Sequence, residues 1–176
     1  MAPSRRNLLT GTVAGAAALA GVGAFWWRQP EAAPVPPGTM DALWALRLER
    51  PEGGELVLAT LRGQPLLINF WATWCAPCVR ELPEIERFYQ KHRAIGWQVV
   101  GLAIDRPAPV RDFLGRVPLS FPVALAGIDG TELVRALGNP QGGLPFTVLI
   151  GADGRVLRRR LGETSYAELA DWVRIR

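Results

Sequence analysis

Phe70-Trp71-Ala72-Thr73-Trp74-Cys75-Ala76-Pro77-Cys78 is the stretch around which the rest of this chain can be arranged. Just before and into it, Leu66-Leu67-Ile68-Asn69-Phe70 forms an almost unbroken apolar run, as a buried central strand does. Beyond Cys78 the apolar spacing becomes helical, with Leu82, Ile85, Phe88 and Tyr89 on one face. The two cysteines therefore fall where a strand hands over to a helix, with Cys75 at or beside the helix N-terminus. Unpaired backbone N–H groups and the positive end of the helix dipole favour negative charge there. The thiolate is the reactive form of cysteine, and such a position lowers a thiol's pKa. The motif reads as an exchangeable dithiol.

Other uses of two neighbouring cysteines fit less well. The chain has 2 Cys and 1 His, and His92 lies far down the same helix, so one chain cannot assemble a four-ligand Cys/His zinc site. A purely structural disulfide between residues this close would restrict the unfolded chain little and stabilise little. Copper binding remains open, since a soft Cu(I) ion accepts two thiolates. No other metal and no cofactor is expected.

Trp74-Cys75-Ala76-Pro77-Cys78, preceded by Asn69-Phe70-Trp71-Ala72, resembles the active site of the thioredoxin superfamily. The continuation Val79-Arg80-Glu81-Leu82-Pro83 is similar to the TlpA/ResA/CcmG-like branch, the extracytoplasmic thiol:disulfide oxidoreductases of bacteria. The resemblance runs from about Met40 to Arg176 and implies an α/β, thioredoxin-like fold: a central mixed sheet, helices on both faces and an N-terminal β-hairpin. Cys75, nearer the helix end and flanked by Trp74 and Ala76, is expected as the attacking thiol, and Cys78, a turn inside, as the resolving one. Pro145, in Gly142-Gly143-Leu144-Pro145-Phe146, resembles the cis-proline that faces the dithiol, with the Leu144 backbone pairing with substrate. Read without the resemblance, Pro145 simply starts a strand. Trp74, Ala76 and Pro77 would form the rest of the substrate contact. The branch places an acid/base Glu where Glu81 stands. Otherwise Glu81 is a solvated residue paired with Arg80 or Arg87. Asn69 stands where thioredoxin itself has a buried acid and cannot take up a proton, which shifts that task to Glu81 or water.

Outward from this centre, Leu43–Leu48 and Glu55–Ala59 read as two strands of a hairpin joined by Pro51-Glu52-Gly53-Gly54. A long helix is expected from about Ala76 to Ala94, kinked at Pro83 and stopped by Gly96. Trp97–Ile104 is a second apolar strand, so strand, helix and strand form a right-handed parallel crossover. A loop over Asp105–Pro109, a helix over Val110–Val117, a short strand over Phe121–Leu125 and a helix over Thr131–Leu137 capped by Asp129 follow. Phe146–Ile150 and Val156–Leu161 form a hairpin about Ala152-Asp153-Gly154-Arg155. Thr164 or Ser165 caps a final helix to about Val173, with Leu169 and Trp172 inward. Trp44 and Trp97 are core candidates, Trp71 and Trp74 read as core or rim packing around the site, with Trp74 also a candidate docking surface, and His92 reads as a surface residue.

The 176 residues suffice for one domain and an appendage, and 49% are hydrophobic, enough for a core. The formal net charge of +4 comes from arginine, Lys91 being the sole lysine. No aromatic interleaving marks a nucleic-acid face. Arg158-Arg159-Arg160 reads as a solvated or edge-guarding run.

The N-terminus reads as an address or an anchor. Arg5-Arg6-Asn7-Leu8-Leu9 precedes an uncharged stretch from Thr10 to Trp27, the plan of a secretory signal. The paired arginines fit a twin-arginine signal and an ordinary n-region alike. Residues 7–27 are long enough to span a bilayer core of about 30 Å, ended by the interfacial Trp26-Trp27-Arg28. Ala18-Leu19-Ala20 and Val22-Gly23-Ala24 offer cleavage sites. The expected organisation is 1–28 signal or anchor, 29–40 Pro-rich linker and 41–176 thioredoxin-like domain, held in the periplasm.

Three activities follow from the dithiol. A periplasmic reductase would take electrons from a membrane thiol transporter and pass them to exported proteins, apocytochrome c thiols being the family's example. A disulfide-donating oxidant, resembling DsbA, would run the other way, though the chain is too short for the helical insertion of that class. A copper-binding assembly factor would need a Cys-x-x-x-Cys spacing and a well-placed His. A peroxidase reading is disfavoured because Trp74, not Thr, precedes Cys75.

Overall fold

The computed structural model describes residues 34–175. The predicted signal or anchor at 1–28, including the span at 7–27, lies outside the described residues, as does the start of the linker. Among the described residues no helix is long and apolar enough to cross a membrane.

Five strands make the main sheet in the order β5-β4-β3-β6-β7: β3 (Leu66–Trp71), β4 (Gln98–Ala103), β5 (Val123–Leu125), β6 (Phe146–Ile150) and β7 (Val156–Leu161). β3 pairs in parallel with β4 and antiparallel with β6, so the sheet is mixed. All six residues of β3 are buried, which is why its sequence shows no alternation: a strand covered on both faces needs apolar side chains at every position. Leu67 and Trp71 enter one core cluster with the long helix α2 (Ala76–His92), α3 (Pro107–Arg116) and α5 (Tyr166–Trp172). Leu66, Ile68 and Phe70 enter the other, with α1 (Thr39–Ala45) and α4 (Gly130–Ala136). Helices thus cover both faces, as expected for the α/β class.

The chain leaves β3 through α2 to β4, and β4 through α3 to β5, both parallel steps toward one edge. It then crosses by α4 to β6 on the other side of β3. The direction of winding reverses at β3, and in open α/β sheets the crevice at the strand's carboxyl end at such a point is where sites form. Cys75 follows that end.

A hairpin of β1 (Arg47–Glu49) and β2 (Glu55–Val57) precedes the sheet. The expected strand over Leu43–Leu48 is corrected here: Thr39–Ala45 is a helix, and only Arg47–Glu49 is strand. Leu43 and Trp44 sit side by side in the core, which a helical turn permits and an alternating strand does not. The second strand stops at Val57, and Leu58–Leu61 is a 3-10 turn. Val35, in the Pro-rich stretch, already packs against the second core cluster.

Three further readings change. α3 begins at Pro107, inside the expected loop, because prolines in a first turn forfeit only N–H groups that have no helical partner. Asp129 is the residue before α4, but its side chain makes no capping bond. His92 is half-buried, stacked on Phe88 with its Nδ1 2.8 Å from the Phe88 carbonyl. α2 runs helical through Pro83. Other expectations hold: Gly96 ends the 3-10 extension with φ 91°, Ser165 caps α5 by accepting from Glu168 N–H, and Trp44, Trp71 and Trp97 are core, whereas Trp74 is exposed. β7, with Arg158-Arg159-Arg160, is an edge strand, where charge discourages pairing with another chain.

Candidate active site

Cys75 is the N-cap of α2, with Pro77 in the first turn. The Cys78 N–H points at the Cys75 sulfur, 3.3 Å away. The two cysteines are joined in a disulfide. They differ in access: Cys75 is 7% exposed, whereas Cys78 is sealed inside the core. Trp74 stands out at 69% exposed, Ala76 is also exposed and Pro77 half-buried. Cys75 thus keeps a small opening to solvent at the mouth of the helix, and Cys78, one turn further in, keeps none.

Leu144-Pro145 is a cis peptide bond, as the sequence suggested. Phe146 pairs with Phe70 in the antiparallel register, so Leu144 and Pro145 lie at the same end of the sheet as Trp71 and the dithiol elbow. The loop before them is held by Asn139, buried just beyond the end of α4, whose Nδ2 donates to the Gly143 carbonyl at 2.8 Å.

Glu81 falls in the apolar stripe of α2 formed by Cys78, Leu82, Ile85 and Phe88. It is fully buried. Asn69 Nδ2 donates to its Oε1 at 2.7 Å, and Thr164 N–H donates to its Oε2 at 2.8 Å. It pairs with neither Arg80 nor Arg87: Arg80 instead meets Glu163 at 2.6 Å on the surface, and Arg87 lies over the Tyr166 ring. Burial pushes the Glu81 carboxyl up to about 7 against the opposing pull of the Thr164 and Asn69 hydrogen bonds. At neutral pH it is therefore poised to hold or release a proton.

Asn69 does more than replace an acid. Its Nδ2 also reaches Thr147 Oγ at 3.0 Å, across the β3–β6 register pair Asn69–Thr147. Its Oδ1 is buried, with no hydrogen-bond partner among the described residues. Thr147, Thr164, Asn139 and Asp105, which accepts from Thr73, were not expected to belong to the site. The only sequence signal for any of them is a polar residue inside an otherwise apolar segment, as Thr147 is within Phe146–Ile150. Their partners lie 78 residues away for Thr147–Asn69 and 83 for Thr164–Glu81.

The family described as Redoxin matches residues 31–171. The ResA thiol-disulfide oxidoreductase of Bacillus thuringiensis is 32% identical over 124 residues, covering 70% of this chain and 69% of that one. Among solved structures, the thioredoxin-related protein of Neisseria meningitidis serogroup B is 29% identical with a TM-score of 0.65, covering 72% of this chain and 96% of its own. A thiol:disulfide interchange protein of the thioredoxin family from Chlorobium tepidum superposes with a TM-score of 0.68 over 82% of this chain and 97% of its own. At 24% identity it speaks for the fold alone, which is thioredoxin-like.

Proposed function

The chain belongs to the Redoxin family and to its thiol-disulfide oxidoreductases, and from that premise we propose that it is a periplasmic reductase of protein disulfides. The observation that carries the reading is the unequal pair at the start of α2: Cys75, which keeps 7% of its surface in solvent, in front of a Cys78 that keeps none. In the reduced protein the Cys75 thiolate attacks one sulfur of a target disulfide. A Cys75–target bond forms and the target's other sulfur leaves as a thiolate. Cys78 then attacks the Cys75 sulfur, closes the internal disulfide and releases the second target sulfur. The target gains two electrons and the Cys75–Cys78 pair loses two. Cys78 must shed a proton to attack, and Glu81 is the buried base that takes it. The leaving thiolates collect protons from water.

Leu144 and Pro145 offer backbone beside the dithiol, on which an extended target segment lies as an added strand. Trp74, Ala76 and Pro77 supply the rest of the contact. The N-terminal segment addresses the domain to the periplasm, as an anchor or as a cleaved signal, with 29–40 as its linker and 41–176 as the domain. A membrane thiol transporter restores the dithiol, and exported proteins such as apocytochrome c receive the electrons.

A Cys78→Ser variant expressed in the periplasm tests the reading, because without the resolving thiol the mixed disulfide accumulates. The expected result is a covalent Cys75 adduct with an exported cysteine protein, absent from Cys75→Ser and released by reductant. A wild-type protein inert toward insulin disulfides, with nothing trapped, overturns it. A reduction potential nearer −120 than −270 mV, the values of a strong oxidant and of thioredoxin, reverses the direction. Stoichiometric Cu(I) binding lost in Cys75→Ser would favour the copper-binding alternative.

A further inference from the structure

The three residues between the end of β3 and Cys75 are fixed from a neighbouring strand. The Trp71 carbonyl accepts from Ile104 N–H at 2.8 Å, and Cys75 N–H turns back to the Ala72 carbonyl at 3.2 Å. Thr73, between them, is held by Asp105, the second residue after β4. Asp105 Oδ2 accepts both the Thr73 N–H at 2.9 Å and the Thr73 hydroxyl at 2.6 Å. Its Oδ1 accepts from Arg106 N–H at 2.7 Å. Both oxygens are thus committed, one to the elbow that carries Trp74 and Cys75, the other to the start of α3.

We propose that Asp105 is a positioning residue of the dithiol: by clamping Thr73 it fixes the Ala72–Cys75 elbow and so the aim of Cys75 and the exposed Trp74 toward a partner chain. Partial burial raises the Asp105 carboxyl, but the hydrogen bonds from Thr73 and Arg106 outweigh it and hold the group below the usual carboxylate range. The acceptor is therefore ionised throughout the neutral region, and its hydrogen bonds are of the stronger, charge-assisted kind. Remove it, and the half-buried Thr73 N–H and hydroxyl lose their partner together, leaving the elbow tied only at its two ends. A reacting atom must be placed closely, and an error of about 1 Å can cost as much as a hundredfold in rate. A supporting side chain that locks the elbow therefore acts on the reaction without touching the sulfur.

This inference rests on Cys75 being the attacking thiol. Full-length protein with wild type, Asp105→Ala, Asp105→Asn and Thr73→Val is compared in insulin-disulfide reduction, with KM and kcat separated. The pH dependence of Cys75 alkylation by iodoacetamide is measured in each reduced protein. Asn keeps an oxygen for Thr73 but not the charge. The expected result is a loss of about tenfold or more in kcat/KM for Asp105→Ala, an alkylation midpoint displaced from wild type, and most of the activity regained in Asp105→Asn. Thr73→Val, which keeps the N–H contact and loses the hydroxyl, falls between them. The inference is overturned if Asp105→Ala matches wild type in rate and alkylation profile, or if Asp105→Asn falls as far as Ala. Should Asp105→Ala not fold, a Thr73→Val protein indistinguishable from wild type overturns it alone. Inert wild type, or active Cys75→Ser, would instead sink the reading of the dithiol itself.

Discussion

Glu81 ties local sequence to pH behaviour. It occupies an inward position of α2, so folding strips its carboxyl of water, and its pKa rises from the ordinary 4.5 to about 7. A carboxyl whose folded pKa lies above its unfolded value binds more protons when folded. Its contribution to stability is fully present below the unfolded pKa and is lost as pH rises through the folded one. Between about pH 4.5 and pH 7, wild type is therefore expected to lose on the order of 3 kcal/mol from this group. Urea unfolding of the oxidised protein at a series of pH values checks it: wild type should weaken over that window, and Glu81→Gln should flatten the slope. An unchanged slope in the variant would mean that other groups set it. The rate of disulfide reduction should show a matching inflection near neutrality that Glu81→Gln removes.

Among the elements, β4 and α5 carry the sharpest expectations. Gly101 lies in the middle of β4 opposite Asn69, and a Cβ there would come within 3.1 Å of both the Phe121 ring and the Trp71 indole nitrogen. Gly101→Ala overfills a packed layer and should cost about 1–3 kcal/mol, read as a fall in the urea midpoint. Ser165 caps α5 with a 3.3 Å bond from Glu168 N–H. Ser165→Ala should cost about 1 kcal/mol, with little effect on the dithiol, because the Thr164 bond to Glu81 comes from backbone and survives. Glu84, on α2, accepts from Tyr166 N–H at 3.1 Å, so α5 retains one satisfied donor in the variant. Legibility differed among the elements for a physical reason. β3, β4 and β6 are buried enough to read as short apolar runs, and α2 is long enough to impose its helical period. α1 has no side-chain cap at Gly38 and runs almost directly into β1, so Leu43-Trp44 joins the apolar run of that strand and reads as strand until tertiary packing settles it.

For the whole molecule, the winding reversal at β3 gathers residues from four segments at one end of the sheet: the elbow, the head of α2, the loop before β6 and the turn after β4. Export is likewise a property of the whole chain. Intact mass of the protein recovered from the periplasmic and membrane fractions is expected to give either a chain beginning near Gly21 or Phe25 in the soluble fraction, or the full chain in the membrane. Full-length protein in the cytosol alone would refute export. Residue order alone makes the dithiol, its strand-to-helix setting and the α/β class legible, because these depend on residues adjacent in the chain and on burial patterns local to each element; Pro145 is singled out only through the resemblance, and its cis bond is a finding of the structure. It takes the folded chain to bring Glu81 to Asn69 and Thr164, Asn69 to Thr147 across the β3–β6 register, and Asp105 to Thr73. Hydrogen bonds between residues 12 to 83 positions apart leave no periodic trace, since a polar side chain's type fixes what it can bond but not which partner the folded chain brings to it.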